Sequence, residues 1–322
     1  MEDYPRTLSE FEARFSTEAS CREYLFRLRW PDGFVCPRCQ SRKAWVTQRD
    51  LLVCASCGDQ VSVTAGTIFQ DTRKPLTMWF RAMWWVTIQK TGVSAIGLQG
   101  ILGLRSYYTA WTWLQKLRRA MVRPGRDRLS GMVEVDETYI GGEKPGKRGR
   151  GALCKSLVII AAEVKGNRIG RIRLQCIRNA SAKSVEEAVQ QIVGQGSIVQ
   201  TDDWKGYHGL DHLGYAHEVM RRNTEIGENL LPHCHRVAAL LKRWIMGTHQ
   251  GAISHEHLEH YLDEFVFRFN RRNCRHRGKL FYRLAQQAVT IGSTSYKDMV
   301  KCGRRGRKLK HHNILYGLES TE

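Results

Sequence analysis

Four cysteines, Cys36, Cys39, Cys54 and Cys57, stand in a C-x2-C-x14-C-x2-C pattern, each pair on a tight turn. Two thiolate pairs presented this way make a tetrahedral site for structural Zn2+. A single C-x-x-C would fit a redox pair equally well; two at zinc-ribbon spacing in a reducing compartment point to the metal. A second chemistry lies in the acids. Asp136 sits in Val133-Glu-Val-Asp-Glu-Thr-Tyr-Ile-Gly-Gly142, and Asp202 in Thr201-Asp-Asp-Trp-Lys-Gly-Tyr207. Two carboxylates held close together repel unless a cation lies between them. Such oxygen ligands suit Mg2+ or Mn2+. Two such ions can activate a water and stabilise the leaving oxygen of an in-line phosphoryl displacement. Taken singly, each acid reads as an ordinary strand-end residue.

Bringing them together requires particular elements. The cysteine turns are separated by short strands at Lys43–Thr47, Leu51–Val53 and Gln60–Val63. Thr77 is the expected N-cap of a tryptophan-rich helix, Met78–Lys90. A short helix, Val93–Leu102, and a third, Tyr107–Val122, follow. Three helices with a basic third one predict a helix-turn-helix in which Lys116, Arg118 and Arg119 meet DNA; the alternative is a helical connector. From Gly131 the pattern turns to strands: Met132–Ile140, in which Glu134, Asp136 and Thr138 share a face, then Leu157–Val164 and Ile169–Ile177. A capping box at Ser184-x-x-Glu187 opens a helix. Ser197–Thr201 ends on Asp202, a short helix and a strand near Ala216–Met220 follow, and helices span His233–Met246 and Ser254–Asn270. This βββ-α-β-α-β-α order is that of an RNase H-like α/β domain, a mixed sheet flanked by helices. There the first and fourth strands are neighbours, so Asp136 and Asp202 are expected side by side. The resulting division is a zinc-ribbon segment over 1–72, a helix-turn-helix-like unit over 73–124, the RNase H-like domain over 125–275 and a basic C-terminal tail over 276–322.

The composition agrees. The chain has 322 residues and a formal net charge of +20; residues 271–322 alone hold 13 Lys/Arg against 3 Asp/Glu. Self-repulsion of that size points to a polyanionic partner, most often nucleic acid. No apolar stretch is long enough to span a bilayer, and the polar start MEDYPRTLSE is no signal peptide. A cytoplasmic protein, without membrane contact, is expected. The remaining six cysteines (Cys21, Cys154, Cys176, Cys234, Cys274 and Cys302) then read as free thiols.

Together these segments resemble a family. The Asp136 strand, the Asp202 segment, His235-Arg-Val-Ala-Ala-Leu-Leu-Lys-Arg-Trp244 with Gly247-Thr-His-Gln-Gly251, and His257–Arg272 look like a bacterial insertion-sequence transposase of the DDE type with an N-terminal zinc ribbon. The resemblance runs from about Phe34 to about Gln287. It implies an acidic triad, with Asp136 and Asp202 matching the first two members and Asp203 at a variable position. Most DDE enzymes place Glu third, seven residues before a Lys or Arg. Here Lys242 is the basic residue, and His235 stands seven before it on the same helical face. The resemblance therefore implies a DDH site of Asp136, Asp202 and His235, with Glu264 as the rival third ligand. It implies two Mg2+ or Mn2+ ions and metal-dependent cleavage of double-stranded DNA at transposon terminal inverted repeats. Strand transfer to target DNA follows. Lys242 and Arg243 would hold terminal phosphates. A homodimer or higher synaptic assembly is implied, as is nucleoid association.

Lys147 and Arg148 on the glycine-rich loop, Arg271 and Arg272 after the last helix, and the Lys301–Lys310 run read as phosphate contacts. Two other functions compete: a zinc-ribbon transcription regulator, which leaves Asp136, Asp202 and the His235–Lys242 spacing unexplained, and an RNase H-like nuclease without strand transfer. An imidazole ligand must be neutral and titrates near pH 6.5. Activity is therefore expected to fall as the pH drops through about 6.5; a pH–rate profile that stays flat down to about 5.5 would count against His235.

Overall fold

A computed structural model describes residues 2–141, 155–221, 230–251 and 253–300. In chain order the elements are α1 (Leu8–Arg14), α2 (Glu18–Arg29), β1 (Ala44–Val46), β2 (Leu52–Cys54), β3 (Gln60–Val61), α3 (Leu76–Ile88), α4 (Ala95–Leu102) and α5 (Tyr107–Ala120). They continue with β4 (Met132–Ile140), β5 (Ser156–Lys165), β6 (Arg168–Ile177), α6 (Ala182–Ile192), β7 (Ile198–Thr201), β8 (Ala216–Val219), α7 (Pro232–His249), α8 (Leu258–Phe269) and α9 (Gly278–Ala288). Two compact units result: Met1–Arg123 with Cys274–Glu322, and Pro124–Asn273.

In the first unit, β1, β2 and β3 form an antiparallel sheet, and α2 grips the chain that leaves it: Arg29 donates to the Ser62 and Val63 carbonyls at 3.1 and 2.9 Å. The core is aromatic. Phe11, Phe15, Tyr24, Phe80 and Trp84 pack around Phe281, with centroids 5.5 to 6.1 Å from it. Trp79 stacks on Trp113 at 3.8 Å. These tryptophans are core residues.

Phe281 belongs to α9, which corrects the expectation of a tail from 276. Leu280, Phe281, Leu284 and Ala288 give α9 an apolar face that the basic residues between them mask in composition; all four are buried. Lys279 and Arg283 pair with Glu2. Gly278 faces the Pro5 carbonyl so closely that a Cβ would lie 1.7 Å from its oxygen. The ribbon and the helices also belong to one unit, so the expected boundary at 72/73 does not separate two bodies. The basic run Lys301–Lys310 lies outside the described residues.

The start of α3 differs from its expected Thr77 cap. The helix begins at Leu76, and Glu18 of α2 accepts the N–H groups of Leu76 and Thr77, both at 2.9 Å. Burial alone would raise the Glu18 pKa, but these N–H bonds outweigh it and hold the carboxyl below its usual value. Similarly, α6 is capped by Ser181, which accepts from the Ser184 N–H, one turn before the expected capping box.

In the second unit the sheet order is β6-β5-β4-β7-β8. β4 runs antiparallel to β5 and parallel to β7, and β7 runs parallel to β8. This mixed sheet with helices on both faces is the RNase H-like arrangement. Val133 and Val135 of β4 pack with Ile159, Ala161 and the α6 residues Val185, Val189 and Ile192. The opposite face carries Ile140, Val158, Ile160 and Ala162 against Val237 and Leu241 of α7 and Leu262 and Val266 of α8. The helix expected between β7 and β8 is instead two single 3-10 turns, Lys205–Tyr207 and Asp211–Leu213. Among the described residues no helix is long and apolar enough to cross a membrane.

Removing the remote cap should be felt. Glu18→Ala leaves two first-turn donors of α3 without their acceptor, and is expected to cost about 1–2 kcal/mol in urea unfolding.

Candidate active site

β4 and β7 set the first two acids. Their parallel register pairs Glu134 with Gln200, so two residues further along each strand Asp136 comes level with Asp202. Asp136 is mostly buried, with an 18% exposed side chain, and its Oδ1 accepts the Glu137 N–H at 2.8 Å. Asp202 turns the chain out of β7, its Oδ1 accepting the Trp204 N–H at 3.2 Å. Asp203 points elsewhere, toward Arg221 at 3.4 Å and His208 at 3.7 Å.

α7 brings the third group. His235 stands in its first turns, with Nε2 3.4 Å from Asp136 Oδ2 and half of its side chain in solvent. Lys242 and Arg243 lie further along α7, both exposed. Glu264 does not join this group. It is buried on α8, which packs on the far strand β6, and Arg268 one turn on donates to it at 2.6 and 2.9 Å.

Two further acids of β4 hold the surroundings in place. Glu134 accepts the His233 and Cys234 N–H groups at the start of α7, at 2.8 and 2.9 Å. Glu137, on the opposite face, accepts the hydroxyl of the buried Tyr207 at 2.8 Å. Tyr207 reaches it because Trp204 folds back over Gly206, where a Cβ would lie 2.2 Å from the indole ring. The sequence hinted at one of these roles: Glu137 is a charge on the strand face that otherwise carries Val133 and Val135 into the core.

Burial is the main cause that raises Asp136, to a pKa of about 6; the Glu137 and Asp202 charges add to it, while His235 and the Glu137 N–H oppose it. Asp136, Asp202 and His235 supply carboxylate and imidazole donors of the kind Mg2+ or Mn2+ takes, although among the described residues only the four cysteines are drawn into a close metal-holding cluster.

The four cysteines fit zinc. Their sulfurs all lie within 4.8 Å of one another, with Cys36–Cys57 at 3.7 Å and Cys39–Cys54 at 3.5 Å. Zn–S bonds of about 2.3 Å in a tetrahedron place sulfurs about 3.8 Å apart. Burial would raise the Cys54 thiol, but the Cys57 and Ser56 N–H groups and the neighbouring sulfurs bring it down to about 6.

Several expected phosphate contacts are placed differently. Arg118 is 1% exposed, and Lys116 turns inward to donate to the Ile68 carbonyl at 3.1 Å; Arg119 is half-buried. The basic edge of α5 is thus largely a packing edge, because Trp113, Leu114 and Leu117 turn that side to the core. Arg271 lies 4.1 Å over the Phe267 ring and donates to its carbonyl. Arg272 lies over Phe269 and donates to the Phe269, Gly170 and Ile169 carbonyls. Both brace the end of α8. Lys147 and Arg148 lie outside the described residues.

Comparison with known proteins matches two family models: an ISXO2-like transposase domain over residues 128–270 and a transposase zinc-ribbon domain over 16–60. A relative from Halobacterium salinarum, "Uncharacterized protein in transposable element ISH50", is 26% identical over 278 residues, covering 79% of this chain and 91% of that protein. Among solved structures, "Crystal structure of the Mos1 Strand Transfer Complex" is matched at 14% identity and a TM-score of 0.27, over 73% of this chain and 80% of that one. That last likeness is too slight to carry weight.

The raised Asp136 has a sign that can be checked. Its folded pKa of about 6 exceeds the ordinary 3.8, so its contribution to stability is full below the ordinary value and is lost as pH rises through about 6. In zinc-loaded protein without added Mg2+ or Mn2+, Asp136→Asn is expected to stabilise by about 2–3 kcal/mol at about pH 7.5. Thermal melts should show the gain shrinking toward about pH 4.

Proposed function

Since the chain belongs to the ISXO2-like transposases with an N-terminal transposase zinc ribbon, we infer that its Pro124–Asn273 unit cleaves DNA at the ends of its element and joins them to target DNA. The observation that supports this reading is the β4–β7 register that brings Asp202 level with Asp136, together with the 3.4 Å approach of His235 of α7 to Asp136. These three residues would hold Mg2+ or Mn2+. Two such ions, when bound, supply Lewis-acid stabilisation of the attacking and leaving oxygens.

The rest is the work of the chain. His235 contributes a neutral donor, so the three side chains carry two negative charges rather than three. Lys242 and Arg243, exposed on α7, pair with phosphates of the bound strand and hold the scissile one in line. In the first step a water oxygen bonds to phosphorus and the P–O3′ bond breaks, leaving a 3′-hydroxyl and a 5′-phosphate. In the second, that 3′ oxygen bonds to a target phosphorus and the target's own P–O3′ bond breaks. No bond joins protein to DNA. Joining two ends to one target calls for a homodimer or a higher assembly, and the ribbon, with four cysteines on zinc, belongs to the recognition of double-stranded DNA ends.

The test uses purified protein, duplexes carrying the terminal inverted repeats that flank its gene, and Mg2+ or Mn2+. Nicked and joined products are expected from the wild type, and Asp136→Asn or His235→Ala should reduce both by at least about a hundredfold. Nicking without joining would favour a nuclease; end binding unaffected by Asp136→Asn, with no cleavage by either protein, would favour a regulator.

A further inference from the structure

We propose that Glu134 is a positioning residue for the metal site: by holding the start of α7 against β4 it sets where His235 stands relative to Asp136. The proposal rests on the reading of Asp136, Asp202 and His235 as metal ligands and deepens it.

α7 begins without a cap of its own. Leu231 at the N-cap makes no side-chain hydrogen bond, Pro232 fills the first helical position, and the first turn contains no acidic residue. The donors that a local Ser or Asp would satisfy are those of the second and third helical residues. Here they are the N–H groups of His233 and Cys234, and both go to Glu134 Oε2. Glu134 Oε1 accepts the Nδ1–H of His233 at 2.5 Å. The carboxylate is only 4% exposed, and its negative charge meets the positive end of the helix dipole in a dry setting.

A local cap ties a helix end to itself; a cap from a strand ties the helix to the strand. Three bonds from one carboxylate fix both how far α7 slides along β4 and how it is rotated. Asp136 lies two residues on from Glu134, on the same face and about 6.8 Å along the strand. His235, whose N–H closes an intrahelical bond to the Leu231 carbonyl at 3.0 Å, follows the tethered pair directly. Register on the strand and register on the helix are thus locked together, and the 3.4 Å approach of His235 to Asp136 follows. Both Glu134 oxygens are turned to α7, which assigns Glu134 a supporting role beside the ligands. Second-layer support of this kind commonly changes metal affinity by about 10- to 100-fold.

The test uses the full chain with zinc retained and follows Mn2+ binding by electron paramagnetic resonance. Wild-type binding that disappears in Asp136→Asn defines the site; without such binding the metal-site reading itself fails, and Glu134 is not the cause. Given that binding, Glu134→Ala is expected to weaken it by about tenfold or more. Val266→Ala, which trims the same core from α8, serves as the control: it should lower the melting temperature while leaving Mn2+ affinity within about twofold. Equal affinity in Glu134→Ala and wild type, or a loss no larger than that in Val266→Ala, would overturn the proposal. Should the alanine variant not fold, Glu134→Gln keeps the side-chain volume but places an amide against His233, and the same comparison decides.

Discussion

A helix laid across a sheet by apolar contacts alone can slide by a fraction of a turn at little cost, because hydrophobic attraction has no direction. α7 lies on its sheet through Val237, Leu241 and Ile245, a surface of this kind. The directional restraint comes from Glu134, one buried carboxylate shared between two backbone N–H groups and one imidazole. The site depends on that restraint, since its members come from three segments far apart in the chain. β4 and β7 are aligned by ladder bonds, whereas α7 has no ladder, and a charge–dipole contact takes its place.

The same device recurs in the other unit. Glu18 caps α3 from α2 as Glu134 caps α7 from β4. Both explain where reading the sequence succeeded and where it failed. Alternation along Met132–Ile140 was legible because it is local, and it put Glu134 and Asp136 on one face correctly. The β4–β7 pairing followed from element order, and so the nearness of Asp136 and Asp202 was foreseeable. A cap supplied from elsewhere leaves no local signal, so Thr77 looks like the start of α3 although Glu18 caps it; α6 is capped locally, by Ser181 one turn before the Ser184 box. Charge likewise misled. Arg118 and Lys116 look like a phosphate-facing edge until Trp113 and Leu117 fix which side of α5 faces inward. In α9 the basic residues concealed an apolar stripe that completes a core.

The electrostatics of the two units also differ in kind. In the first, buried or half-buried charge is satisfied within the protein: Arg29 on carbonyls, Glu18 on N–H groups, Lys116 on Ile68. At Asp136 the Glu137 N–H and His235 favour the charge but are outweighed, and burial together with Glu137 and Asp202 makes its negative form costly. Sites that act on charged partners commonly store such a cost, and the local stability lost is the counterpart of the affinity gained when a cation arrives.

The packing of α9 into the aromatic core has a consequence for how the polypeptide is made. Phe281 stands at the centre of rings contributed by residues 11 to 84, and the whole of the other unit lies between them in the chain. During synthesis the N-terminal rings emerge first and must wait, incomplete, until the stretch from Trp84 to Phe281, more than half of the chain, has been made. The Pro124–Asn273 unit is continuous and can close as soon as it leaves the ribosome. The order of folding is therefore inverted relative to the order of emergence: the unit that starts the chain is the last to finish, and it finishes only in a polypeptide translated through to α9.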